Sequence, residues 1–167
     1  MNAIITNIAR AQALATTPEA PERSVHLIDV ENLCGESNPT KHRVEIARKR
    51  YLEAVWSDKT DHFIVASSRG NFMNASLGWP GARYLVRDGK DGADFCLAEV
   101  MSSEKLEQRF RRAVVASGDG GLAPCVAQLA GSGLHTVVVS SRNRLSRLMR
   151  LASHKCIVLT PELEEIA

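Results

Sequence analysis

Aromatic residues make up only 5% of this 167-residue chain, and no apolar run approaches the roughly 20 residues of a membrane span. The first shortage means that any stacking on nucleobases would rest on a few side chains. The second excludes a membrane-spanning helix. Charge of one sign is also missing: the formal net charge is +2, too small to imply nucleic-acid binding by itself. The four cysteines, Cys34, Cys96, Cys125 and Cys156, form no CxxC pair and no zinc-ligand spacing, so reduced thiols in a cytoplasmic protein are expected. Residues 1–20 carry neither a basic leader nor a continuous apolar core, which predicts no secretory leader. Repeats and low-complexity tracts are absent. What remains, 44% hydrophobic and 24% charged, is the composition of a soluble globular domain large enough to bury a core.

The segment from Asn2 to Ala15 has Ile4, Ile5, Ile8, Ala11 and Leu14 near helical spacing. Thr17-Pro18-Glu19-Ala20-Pro21 follows as a linker. Residues 1–21 are thus expected to be a helix and linker, able to dock on the domain or to pair with a second copy in a homodimer. Residues 22–167 are expected to form the domain proper. Strands are predicted at Val25–Val30, His62–Ala66, Arg83–Val86, Ala113–Ala116, Thr136–Val139 and Cys156–Leu159. Between them, helices are predicted from a Thr40 cap to about Ser57, at Asn71–Leu77, Asp94–Glu107, Leu122–Ala130 and Arg144–Ala152, with a loop through Cys34–Pro39. Strand and helix alternate, and the strands are nearly unbroken apolar runs. That pattern predicts an α/β fold, doubly wound, with a mostly parallel sheet of five or six strands covered on both faces.

On such a sheet three aspartates stand where strands give way to loops or helices. Asp29 ends the run Val25-His26-Leu27-Ile28, Asp94 opens a helix, and Asp119 follows Ala113-Val114-Val115-Ala116-Ser117-Gly118. Ligand sites of parallel sheets form beyond the carboxyl ends of the strands, so distant carboxylates would meet there. Acids close enough to repel call for a divalent cation. Each motif has a plainer alternative. Asp29, in Asp29-Val30-Glu31-Asn32, could cap its own loop. Asp94, after Gly89-Lys90-Asp91-Gly92-Ala93, could cap its helix. Asp119, in Ser117-Gly118-Asp119-Gly120-Gly121, could sit exposed on a tight turn. That glycine loop lacks the Lys-Ser/Thr ending of a P-loop and the GxGxxG spacing of a dinucleotide site.

Taken in order, Ile28-Asp29-Val30-Glu31-Asn32, Lys90 with Asp94, and Ser117-Gly118-Asp119-Gly120 resemble the NYN family of the PIN-like ribonuclease superfamily. Val137-Val138-Val139 and Leu145-Ser146-Arg147-Leu148 are similar to that family's final strand and helix, so the resemblance spans roughly Val25 to Leu159. It implies a parallel sheet with an endoribonuclease site dependent on Mg²⁺ or Mn²⁺ at its carboxyl edge. Asp29, Asp94 and Asp119 would then be catalytic metal ligands or water activators, with Asn32 assisting. Hard oxygen ligands suit either ion, which can lower the pKa of a water and offset charge on a phosphodiester. One departure is Gly121, where many members of the family carry a further acid; Glu31, Asp91 or Glu99 could compensate.

The segment Arg142-Asn143-Arg144-Leu145-Ser146-Arg147-Leu148-Met149-Arg150 is the chief RNA-binding candidate, together with Lys90. Arg144, Arg147 and Arg150 are expected on one helix face, with Leu145, Leu148, Met149 and Ala152 on the other. Lys41-His42-Arg43 and Arg48-Lys49-Arg50 read as helix surface, Trp79 and Phe72 are the candidates for base stacking with packing as the plainer reading, and His26 reads as a satisfied core histidine. Ser117 has no nearby histidine to make it a nucleophile. The expected function is a metal-dependent endoribonuclease. The alternatives are a catalytically weakened RNA-binding or assembly module on the same fold, and a Rossmann-like nucleotide or phosphate binder using the Gly118–Gly121 loop.

Overall fold

A computed structural model describes residues 23–160 of the chain. The helix expected at 2–15 and its linker lie outside the described residues. Six strands form one sheet: β1 (Ser24–Asp29), β2 (His62–Ser67), β3 (Arg83–Val86), β4 (Arg112–Ala116), β5 (His135–Ser141) and β6 (Lys155–Leu159). Their order is β3-β2-β1-β4-β5-β6 and every pairing is parallel. Among the described residues six α-helices accompany them: α1 (Val30–Cys34), α2 (Lys41–Ala54), α3 (Phe72–Gly78), α4 (Gly92–Ser103), α5 (Ala123–Gly131) and α6 (Arg147–Ala152).

The apolar strands bury both faces because alternate side chains point to opposite sides. Val25, Leu27, Ala113, Val115 and Val138 face one way and pack with Leu97 and Val100 of α4, Val126 and Leu129 of α5, and Met149 of α6. Ile28, Val114, Ala116, Val137 and Val139 face the other and pack with Val44, Ala47 and Tyr51 of α2 and Ala75 of α3. The chain therefore winds in opposite directions from β1, and the sheet is doubly wound. His26 is fully buried on the second face, with Nδ1 2.7 Å from Tyr51 Oη and Nε2 3.1 Å from Asp61 Oδ2. It is a satisfied core histidine. Trp79 is likewise buried beside Tyr51 and Phe63.

Several elements differ from expectation: the helix expected at Asp94–Glu107 runs from Gly92 to Ser103, the one expected to reach Ser57 ends at Ala54, and two others differ more. Residues 30–34 are a helix rather than the start of a loop. It is one turn long, too short to show a period. Asp29 caps it by accepting the Asn32 N–H at 3.0 Å, and Gly35, at φ +75°, closes it. The basic helix is shorter than expected, beginning at Arg147. The Arg144 and Leu145 N–H groups bond back to Ser141 O, and Ser146 N–H bonds Gly118 O at 3.0 Å. That tether holds 142–146 as a turn, and Ser146 then caps α6 by accepting the Met149 N–H. Arg144 is thus off the helix. Leu148, 59% exposed, does not join Leu145 and Met149 in the core.

Candidate active-site cleft

At the carboxyl edge, where the winding direction changes between β1 and β4, lies an open cleft of about 400 Å³. Asp29, Asp94 and Asp119 all line it, from three segments far apart in sequence. Glu31, Glu36 and Asp91 add further acids, and Lys90 and Arg144 are the basic residues on its wall. The local folding of each segment explains how they arrive. β1 ends on Asp29, which α1 turns into the floor. The loop after β3 brings Lys90 and Asp91, and its backbone can lie against α4 because position 92 is glycine; a Cβ there would stand 2.4 Å from Arg87 O. Gly118 serves the same purpose after β4. A Cβ on it would meet Arg144 O at 2.2 Å and Ser140 Oγ at 2.5 Å.

Asn32 braces these pieces. Its backbone N–H bonds Asp29 Oδ1, and its side-chain Oδ1 accepts the Gly118 N–H at 3.0 Å, fastening the end of β1 to the loop after β4. Glu31 spends Oε1 on the Ser68 N–H and on Asn71 Nδ2, both at 2.8 Å, and so anchors the loop after β2. Asp119 accepts the Gly121 N–H at 2.7 Å in the way of an ordinary cap. Asp94 lies in the first turn of α4, two residues after its start, and is not a cap. Asp91 holds the cap position at φ +64° without a side-chain bond to the helix.

Asp29 is 5% exposed, and burial pushes its carboxyl up to about 7. The Asn32 N–H works against that rise; the charges of Asp94 and Glu31, and a hydrogen bond with Asp94, add to it. Burial raises Asp94 to about 6, helped by the charge of Asp119 and opposed by the bond with Asp29, with Asp91 and Glu31 adding further repulsion. Burial thus disfavours charge on both carboxyls, and the two titrate as a pair. Asp94 Oδ1 is buried without a hydrogen-bond partner. An orphaned carboxylate oxygen in a repelling cluster is the donor that a hard cation satisfies, and such an ion reverses these upward shifts. Among the described residues no three His, Cys, Asp or Glu side chains are already gathered into a ligand set. Mg²⁺ does not require one, because it keeps several waters and takes one or two carboxylates. The donor chemistry fits.

No family model matches the chain, and no curated protein matches it. A solved structure of a protein of unknown function from Vibrio parahaemolyticus is similar, at 15% identity and a TM-score of 0.61, over 87% of this chain and 97% of that one. The likeness is one of fold. It accords with the doubly wound α/β sheet and carries no activity with it.

Of the other expected residues, Arg144 bonds Gly35 O through Nη2 at 2.7 Å and leans over the cleft. Arg142, Arg147 and Arg150 are exposed but do not line it. Glu99 lies outside the lining, so it is no substitute for the acid missing at 121, whereas Glu31 and Asp91 are within. Glu36, paired with Arg43 at 2.7 Å, lines the cleft and carried no signal in the sequence. The four cysteines are free, and among the described residues no helix is long and apolar enough to cross a membrane.

Proposed function

We propose that the cleft is the active site of a Mg²⁺- or Mn²⁺-dependent endoribonuclease. The carrying observation is the meeting of Asp29, Asp94 and Asp119 on one cleft, with the first two carboxyls pushed up by burial and a buried oxygen of Asp94 left without a partner. Of these three carboxylates one or two would hold the ion directly and the rest through its waters. Once bound, it supplies an activated water and offsets charge on the phosphodiester. Lys90 and Arg144 offer positive charge to the phosphate from the cleft wall, and Arg142, Arg147 and Arg150 attract the RNA backbone nearby. Asn32 keeps β1 and the Gly118 loop in register, and so sets the spacing of Asp29 and Asp119. The choice of RNA rests on the NYN resemblance of the motifs. The free thiols suit the reducing cytoplasm, where we place the protein.

The test combines binding and turnover. Mn²⁺ titration is expected to raise the melting temperature of the wild type, and Asp29→Asn is expected to abolish metal-stimulated cleavage of single-stranded RNA while remaining folded. Unchanged cleavage in that variant would sink the assignment.

A second reading is favoured by Asp119, one oxygen of which is already tied to the Gly121 N–H. On that reading the protein binds RNA without cutting it. It predicts salt-sensitive RNA binding, weakened by Arg147→Glu, with no metal-stimulated turnover.

A further inference from the structure

We propose that Phe95 and Arg87 form a base-stacking platform on the outer wall of the cleft, selecting single-stranded RNA. The inference rests on the reading of the cleft as an RNA site and adds the means by which a base, rather than a phosphate, is held. Phe95 is 58% exposed although it lies in the first turn of α4, directly after Asp94. A step along a helix advances about 1.5 Å and turns about 100°, so Phe95 projects from the helix face next to that of Asp94, outside the cleft lining itself. The Arg87 guanidinium lies over the Phe95 ring, 5.2 Å from its centroid, which fixes the ring and covers one of its two faces, leaving the other for a base. The pairing is built by the backbone. Gly92 lets Arg87 O lie against the start of α4, and the Phe95 N–H bonds Asp91 O at 3.0 Å. The segment that positions Arg87 also carries Lys90 into the cleft.

A strand whose phosphate lies at Lys90 can therefore place a neighbouring base on Phe95 and the next phosphate by Arg87. Stacking of this kind tolerates any base, because every base has a π-face, but it requires the base to be unpaired. A duplex keeps its bases inside and gains nothing from the platform. Position separates Phe95 from the other aromatics: Trp79 is buried, Phe72 packs edge-on to Tyr84, and Trp56, though exposed under Arg112, lies at the amino edge of the sheet, opposite the cleft.

The experiment measures fluorescence anisotropy of two labelled probes without divalent metal: a single-stranded RNA of about ten nucleotides and an abasic strand of the same length. Phe95→Ala is expected to weaken binding of the RNA about tenfold and to leave the abasic strand unchanged, with Phe95→Tyr retaining wild-type binding. Equal binding of the RNA by Phe95→Ala and wild type overturns the platform. So does an equal loss on both probes, which would make Phe95 a support for the Lys90 loop alone. Cleavage by Asp29→Asn, assayed alongside, separates the two claims. If that variant loses cleavage while Phe95→Ala binds normally, the nuclease reading stands and the platform falls. If the wild type never cleaves but Phe95→Ala loses the base-dependent share, the platform stands without the nuclease. A wild type that binds neither probe overturns the platform and leaves the nuclease reading to the cleavage assay.

Discussion

Replacing Asp29 by asparagine is expected to make the metal-free protein more stable. Burial holds the carboxyl at about 7 in the folded state against an ordinary 3.8. Between those values the folded state binds more protons than the unfolded one, so wild-type stability falls as pH rises from about 4 to about 7. At about 1.4 kcal/mol per pH unit the full cost is roughly 4–5 kcal/mol. Asparagine has no charge to bury, keeps an oxygen for the Asn32 N–H, and can donate to Asp94. Some wild-type cost is relieved by local relaxation, so the expected gain at pH 8 is about 2–4 kcal/mol, or roughly 4–16 °C in melting temperature for a domain of this size. The assay is thermal or urea unfolding in EDTA at pH 8 and again near pH 4. The gain should shrink almost to nothing at the lower pH, where Asp29 is already neutral in the wild type. A variant no more stable than wild type at pH 8, or one whose advantage is the same at both pH values, would refute the claim that this carboxylate is held against its preference.

Two further substitutions probe the cleft. Gly118→Ala should cost about 1–3 kcal/mol, because its methyl group would stand 2.2 Å from Arg144 O and the tether through Ser146 leaves that backbone little room; urea unfolding measures it. Gly121→Asp should lower the Mn²⁺ concentration needed for half of the melting-temperature shift, since it adds an exposed acid beside Asp119. An unaltered midpoint would mean that position 121 does not face the ion.

The fold was largely legible because its strands are apolar on both faces and its turns carry glycine, proline and capping side chains. The strand Arg83–Val86 was found to the residue, and Thr40 caps α2 as expected. What escaped was set by contacts between distant segments. The bond from Ser146 to Gly118 O shortens α6, and periodicity in 144–152 cannot reveal it. The convergence of Asp29, Asp94 and Asp119 was legible from strand polarity alone. The bracing role of Asn32 was not, because its partner lies 86 residues away. Likewise Phe95 reads as one more apolar residue of α4, and only its exposure beside Arg87 sets it apart.

The all-parallel pairing of β1 with β4 has a consequence for how long the protein stays folded. Asp29 and Asp119 are brought together only when that long crossover closes, and loops of this span close late in folding. The repulsion on the cleft floor is then a property of the finished state rather than of the path to it. Relieving it, by Asp29→Asn or by a bound cation, should slow unfolding and leave the folding rate nearly unchanged. A bound cation would on this account act as a kinetic clasp, lengthening the lifetime of the native sheet, and chains without it would open sooner.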